Sequence, residues 1–211
     1  MKTLILNANS DKKINHIILE KIKTIFPRSN DHFVFKFLKN APLSIQGVKD
    51  GLSAKSEMIK FFNKKENKKF DNYILCCFDD IALEEIQSIV NKPVFSLCKS
   101  SLLYCELIQG KSAILTINKN SVPVIKKLLK KYKANNIKVY SLNLDIINIH
   151  DKNFFTHLKK SISQLIKKLN IQNVILGSTG LTNFKEQLQK NSSLNFIDGL
   201  ECSLYLSRIK I

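Results

Sequence analysis

Two strand ends in this 211-residue chain carry side chains that could move a proton. Cys77 closes the apolar run Tyr73-Ile74-Leu75-Cys76-Cys77 and opens the turn toward a helix. A thiol placed there can be activated by the N–H groups of a helix N-terminus, which favour the thiolate. Cysteine is also among the most buried residue types, so a core role competes with a chemical one. Strand alternation puts Cys76 and Cys77 on opposite faces, and Cys76 is assigned to the core. Ser178, in Leu176-Gly177-Ser178-Thr179-Gly180, ends a second strand of the same kind. A small polar turn with exposed N–H groups suits a carboxylate or imide oxygen. It is not a nucleophile elbow, because Leu176 stands where the first glycine would be, and it lacks the Gly-Lys-Ser/Thr of a P-loop. The first strand ends in Asn7-Ala8-Asn9-Ser10-Asp11, without the glycines of a dinucleotide fingerprint. The side chains of Asn7, Asn9 and Ser10 either cap the following helix or hold polar substrate atoms.

The remaining chemistry-bearing residues are less informative. His16, His32, His150 and His157 show no zinc spacing, and His16 and His157 are expected on exposed helix faces. Cys98, Cys105 and Cys202 have no partner at telling spacing. An odd cysteine count without paired metal spacing reads as reduced thiols. No metal is expected.

These residues need elements to position them. Short apolar strands alternate with amphipathic helices along the whole chain. Strands are expected at Thr3–Asn7, Phe33–Phe37, Tyr73–Cys77, Val94–Leu97, Ala113–Ile117, Val139–Leu142, Val174–Gly177 and Phe196–Asp198. Helices are expected at Lys12–Ile25, Ala54–Asn63, Ala82–Val90, Ser100–Ile108, Val122–Tyr132, Asn153–Leu169, Asn183–Lys190 and Leu200–Ser207. Continuous apolar strands between helices indicate βαβ units and a mostly parallel sheet buried on both faces.

The chain also repeats itself. Asn72-Tyr73-Ile74-Leu75-Cys76-Cys77 matches Asn173-Val174-Ile175-Leu176-Gly177-Ser178. Lys2-Thr3-Leu4-Ile5-Leu6-Asn7 matches Lys111-Ser112-Ala113-Ile114-Leu115-Thr116, and Pro93–Ser96 matches Asn195–Asp198. Three pairs in one order predict a pseudo-twofold α/β protein of two lobes. Residues 1–96 with 201–211 are expected to form the first lobe and residues 97–200 the second. Ligands of open α/β sheets bind beyond the carboxyl ends of strands. Two facing lobes would bring two such ends together, with Asn7, Cys77, Thr116 and Ser178 on one cleft.

Composition narrows the function. A hydrophobic content of 44% fits a globular chain. No apolar run approaches the roughly 18 residues of a membrane span, and the apolar stretch after Met1 is too short for a signal peptide. A cytoplasmic protein without membrane association is expected. The formal charge of +17 invites a nucleic-acid reading. Only Arg28 and Arg208 are arginines, whereas arginine is the usual residue for bidentate phosphate and base contacts. Pairs such as Lys126-Lys127, Lys159-Lys160 and Lys167-Lys168 fall on polar helix faces, which a solvated surface explains. No nucleic-acid partner is expected.

Five segments in order resemble the aspartate/glutamate/hydantoin racemase superfamily, in its hydantoin racemase branch. Asn7-Ala8-Asn9-Ser10 resembles that family's Asn-Pro-Asn-Thr/Ser, and Ala41-Pro42-Leu43-Ser44-Ile45-Gln46-Gly47 its Gly-Pro-x-Ser-Ile-Glu-Gly. Cys77-Phe78-Asp79-Asp80-Ile81-Ala82-Leu83 resembles Cys-Phe-x-Asp-Pro-Gly-Leu, which carries the first catalytic cysteine. Leu176-Gly177-Ser178-Thr179-Gly180-Leu181 resembles Leu-Gly-Cys-Ala-Gly-Met, which carries the second. Ile197-Asp198-Gly199 resembles the closing Ile-Asp-Gly.

The resemblance implies a cofactor-independent racemase. Two opposed acid–base residues, here Cys77 and Ser178, would flank a carbonyl-activated chiral carbon. Backbone N–H groups around Phe78, Asp79, Thr179 and Gly180 would stabilise enolate-like charge. The implied partner is a small molecule with a carbonyl or carboxylate, such as a hydantoin, allantoin or amino-acid derivative, and a homo-oligomer is expected. Ser178 departs from the pattern, since an alkoxide is far harder to make than a thiolate. That departure leaves a one-base relative, such as a decarboxylase or isomerase, and a non-catalytic binding protein as rival readings. Lys99 also falls near a position where the family often has an acidic residue.

Overall fold

The computed structural model describes residues 1–27, 32–144, 149, 151–190 and 192–209. Arg28 and His150 lie outside the described residues. In chain order the elements are β1 (Thr3–Asn7), α1 (Lys12–Ile25), β2 (Phe33–Phe37), α2 (Val48–Phe62), β3 (Asn72–Cys76), α3 (Leu83–Val90), β4 (Val94–Ser96) and α4 (Leu97–Leu107). The second half repeats the alternation with β5 (Ser112–Thr116), α5 (Ser121–Lys131), β6 (Lys138–Ser141), α6 (Phe154–Ile166), β7 (Asn173–Leu176), α7 (Lys185–Lys190), β8 (Asn195–Asp198) and α8 (Gly199–Leu206). Short 3₁₀ turns cover Lys65–Lys68 and Thr179–Phe184.

The strands form two four-stranded parallel sheets, ordered β2-β1-β3-β4 and β6-β5-β7-β8. The repeated segments take equivalent places. Thr3 pairs with Asn72 in one sheet as Ser112 pairs with Asn173 in the other. The protein is therefore an α/β fold of two pseudo-symmetric lobes.

Strand alternation sorts the core into three layers. Ile5, Ile74, Ile114, Ile175 and Ile197 face a central layer shared by both sheets, together with Ile18 of α1, Leu102 of α4, Ile125 of α5 and Leu200 of α8. Their neighbours Leu4, Leu6, Tyr73 and Leu75 face the opposite way, onto Met58 and Phe62 of α2 and Ile86 of α3. On the far side Leu115, Val174, Leu176 and Phe196 pack against Leu158 and Ile162 of α6. Each fully buried aliphatic or aromatic side chain stabilises by about 1.5–3 kcal/mol. An exposed ion pair contributes about 0–1 kcal/mol, so the central apolar layer, not surface charge, holds the lobes together. The lysine pairs of α5 and α6 and the pair at 167–168 are exposed, as solvated helix faces should be.

Two helices, α2 and α4, begin more than a residue earlier than the periodicity predicts. The expected Ala54–Asn63 is observed as Val48–Phe62, because Val48 and Leu52 in its first turns are exposed and mask the amphipathic signal. Leu97, expected to end a strand, starts α4 instead. Its cap comes from elsewhere in the chain: the Asp80 carboxylate accepts the N–H groups of Cys98 and Lys99, each at 3.1 Å. Among the described residues no helix is long and apolar enough to cross a membrane.

Candidate active site

The carboxyl ends of β1, β3, β5 and β7 converge on one cavity of about 510 Å³. Asn9, Ser10, Cys77, Phe78 and Asp79 line it from the first lobe, and Thr116, Ser178, Thr179 and Gly180 from the second. Asn7 is not on the wall. It is fully buried and donates its Nδ2 to Asn9 Oδ1 at 2.9 Å and to Asn15 Oδ1 at 2.7 Å. Cys76 belongs to the central apolar layer, as expected, while also forming part of the cavity wall. The exposed Lys12 and Lys13 lie at the cavity's edge.

Cys77 is 7% exposed and sits just past the end of β3. The helix α3 starts only at Leu83, so its N-terminus does not supply the N–H groups expected to activate the thiol. The intervening turn does: its backbone N–H groups at Asp79 and Ile81 favour a Cys77 thiolate and act to lower the thiol's pKa. Burial, reinforced by the Asp79 and Asp80 carboxylates, nevertheless pushes the thiol well above its ordinary range, so the resting group is protonated. The turn holds two non-glycine residues at positive φ, Asp80 at 47° and Ala82 at 57°. Such conformations cost roughly 1–2 kcal/mol each. The bonds from Asp80 to the α4 N-terminus and to the Tyr132 hydroxyl at 2.8 Å offset that strain.

Ser178 occupies the equivalent place after β7. It caps the 3₁₀ turn Thr179–Phe184, and its Oγ accepts the Gly180 N–H at 3.3 Å. The two residues therefore occupy equivalent places, each opening the turn that follows the paired strand of its sheet. Each turn is also tied to a central helix by a buried carboxylate. Asp198 caps α8 through the Glu201 N–H at 2.8 Å and accepts the Thr182 hydroxyl at 2.7 Å. Asp80 does the corresponding work for α4.

Among the described residues that line the cavity none is a histidine, and His16, His32 and His157 are exposed; the carboxyl groups on the wall are those of Asp11 and Asp79. Asp79 is the titratable carboxyl nearest Cys77 in sequence, and burial together with the neighbouring Asp80 carboxylate raises it to about 7. Lys99, whose N–H caps onto Asp80, holds its ammonium 6.0 Å from the Tyr132 ring centre. Among the described residues no group of three His, Cys, Asp or Glu side chains could hold a metal ion.

Sequence reasoning missed one cavity residue of consequence. Asn118 lines the wall from the second lobe. The repeat that pairs Asn7 with Thr116 pairs Asn9 with Asn118 when carried on past the strand, so the signal was present.

The model of the Asp/Glu/hydantoin racemase family matches residues 4–205. The chain belongs to that family, an enzyme family of the isomerase class. Among curated members, the hydantoin racemase of Rhizobium meliloti is 22% identical over 212 residues, covering 96% of this chain and 86% of that one. The allantoin racemase of Klebsiella pneumoniae superposes with a TM-score of 0.87 at 15% identity, over 98% of this chain and 85% of that one. The allantoin racemase of Pseudomonas fluorescens gives 0.86 at 17% identity, over 98% and 89%. The Asp/Glu/hydantoin racemase fold thus extends over both lobes of this chain and both walls of its cavity.

Proposed function

We propose that this protein catalyses racemase-type proton transfer at a carbonyl-activated chiral carbon of a small molecule, a hydantoin-, allantoin- or amino-acid-derivative-like compound, without a cofactor. One observation carries the reading: Cys77 and Ser178, at equivalent strand ends of the two lobes, line the same cavity. A substrate held between them has one face toward each lobe. In the fraction of molecules whose Cys77 has lost its proton to solvent, the thiolate takes the proton from one face, and the electron pair of the C–H bond passes to the substrate oxygen as an enolate. The Asp79 and Ile81 N–H groups stabilise that thiolate. The Gly180 N–H is engaged by Ser178. The N–H groups of Phe78 and Thr179 have no acceptor among the described residues and are the donors left for enolate oxygen.

Ser178 cannot match Cys77 as a base. Its hydroxyl is a far weaker acid than a thiol, so protonation from its face, which would leave an alkoxide, is slow. Proton exchange on the Cys77 face therefore outruns inversion. Incubating an enantiopure 5-substituted hydantoin with the protein in heavy water tests this. Deuterium should enter the acidic carbon faster than optical activity is lost. Equal rates would mean that Ser178 works as a full second base, and absence of both reactions across hydantoin, allantoin and N-carbamoyl amino acids would favour a binding protein.

A further inference from the structure

The pseudo-twofold axis relates more than the two proton-carrying positions. Asn9 and Asn118 both lie two residues beyond the first strand of their sheet, both are half-buried, and both line the cavity. Their side-chain carbonyls are tied in the same way. The Asp11 N–H donates to Asn9 Oδ1 at 3.1 Å, and the Asn120 N–H donates to Asn118 Oδ1 at 2.9 Å, with the Ser121 N–H at 3.3 Å. A backbone N–H can only donate, so both carboxamides have a fixed polarity, with oxygen turned to the local backbone and nitrogen turned away. On the first lobe Asn7 reinforces this by donating to the same Asn9 oxygen. Among the described residues nothing accepts from the Nδ2 of Asn9 or of Asn118.

We propose that Asn9 and Asn118 form a pair of amide donors, one on each lobe, that selects a ligand with two carbonyl oxygens directed to opposite lobes, as in a five-membered cyclic imide or ureide. This rests on the reading that the cavity binds a small carbonyl compound. Asn118 is then a specificity-determining residue and Asn7 a positioning residue that keeps the Asn9 amide from turning over. The arrangement suits reversal of configuration, because a ligand and its mirror image meet the same donor from either lobe.

Hydantoin, with two carbonyls, and 2-pyrrolidinone, with one, serve as probes against the ¹⁵N-labelled full chain. The side-chain amide signals of Asn9 and Asn118 are assigned from Asn9→Asp and Asn118→Asp. Hydantoin should shift both signals. Asn118→Leu should weaken hydantoin roughly 3- to 10-fold, the loss of one neutral hydrogen bond, and weaken 2-pyrrolidinone less. Asn118→Asp keeps acceptors for the Asn120 and Ser121 N–H groups but sets lone pairs against the ligand, so it should weaken hydantoin more than Asn118→Leu does. Unchanged or tighter binding by Asn118→Asp would overturn the clamp. If hydantoin shifts backbone amides at 77–79 and 178–180 but neither side-chain amide, the clamp fails while the cavity reading stands. If neither probe shifts any cavity residue, both fall together.

Discussion

The hydroxyl of Tyr132, which caps the C-terminus of α5 in the second half, donates at 2.8 Å to the carboxylate of Asp80, in the turn that follows Cys77. One bond thus reaches from the second half of the chain to the turn that presents the thiol. Asp80 is buried and serves the α4 N-terminus through the same carboxylate. Tyr132→Phe removes one bond to a buried carboxylate, worth about 1.5–3 kcal/mol. Denaturant unfolding should show a loss of that size. A loss below about 0.5 kcal/mol would mean that the phenol does not hold the turn.

The same turn makes stability depend on pH. Burial, first, and the Asp80 carboxylate raise Asp79 to about 7. Asp80 is raised to about 6 by burial, against the hydrogen bonds from Tyr132 and from the α4 N–H groups, which lower it. Both values lie above the unfolded carboxyl at about 3.9. Between these limits the folded chain binds more protons than the unfolded one, so stability falls as pH rises from about 4 to about 7 and then levels off. Asp79→Asn abolishes the Asp79 share. Because this group faces an open cavity, about 1–2 kcal/mol is expected instead of the full desolvation cost. The variant should be more stable than the parent at pH ~7.5, and the gap should close toward pH ~4. A gap that grows on acidification would contradict the sign.

What could be read from sequence depended on whether the signal was local. Thr3–Asn7, Phe33–Phe37 and Lys12–Ile25 match the observed β1, β2 and α1, because alternation, burial and the Asp11 cap on the Lys13 N–H all lie within a few residues. The start of α4 did not follow, because its cap, Asp80, comes from a distant turn. The repeat alone put Cys77, Thr116 and Ser178 on one cavity, while Phe78, Asp79, Thr179 and Gly180 were expected there from the family resemblance. Asn7 reads from sequence as a contact residue, but its partners Asn9 and Asn15 lie along one folded turn, and only the fold shows it buried behind Asn9. The source of the N–H groups at Cys77 was misplaced for a similar reason, since no sequence rule gives a turn with Asp80 and Ala82 both left-handed.

At Gly199 α8 packs tightly against α4. A Cβ there would lie 2.6 Å from the Leu97 carbonyl oxygen, 2.8 Å from Leu97 Cβ and 2.9 Å from Ser101 Oγ. Backbone is the nearest obstacle, so a rotamer change cannot relieve it. Gly199→Ala should force α8 away from α4 at a cost of about 1–3 kcal/mol, read as a lowered unfolding midpoint. Because Asp198 caps α8 and holds Thr182 of the Ser178 turn, ligand binding in the cavity should weaken as well. Stability and binding both unchanged would show that the helices have room to part.

The last expectation concerns the asymmetry of the two strand ends. Ser178 Oγ already accepts the Gly180 N–H, so a thiol at 178 would find a donor in place. Serine cannot use that donor as a base does, because one N–H does not bring a hydroxyl near a thiol's acidity, about 8.5 when unperturbed. Ser178→Cys should therefore raise racemisation of an enantiopure hydantoin, by about 10²–10⁴-fold if a full acid–base group is restored. Deuterium incorporation on the Cys77 face should change far less, so the ratio of inversion to exchange is the telling quantity. Adding Cys77→Ser to that variant should remove the gain, because each thiol serves one face. A rise in racemisation that survives Cys77→Ser would mean that position 178 acts alone. No rise, in a protein that already turns over, would make Cys77 the sole proton carrier and Ser178 a hydrogen-bonding contact to the substrate.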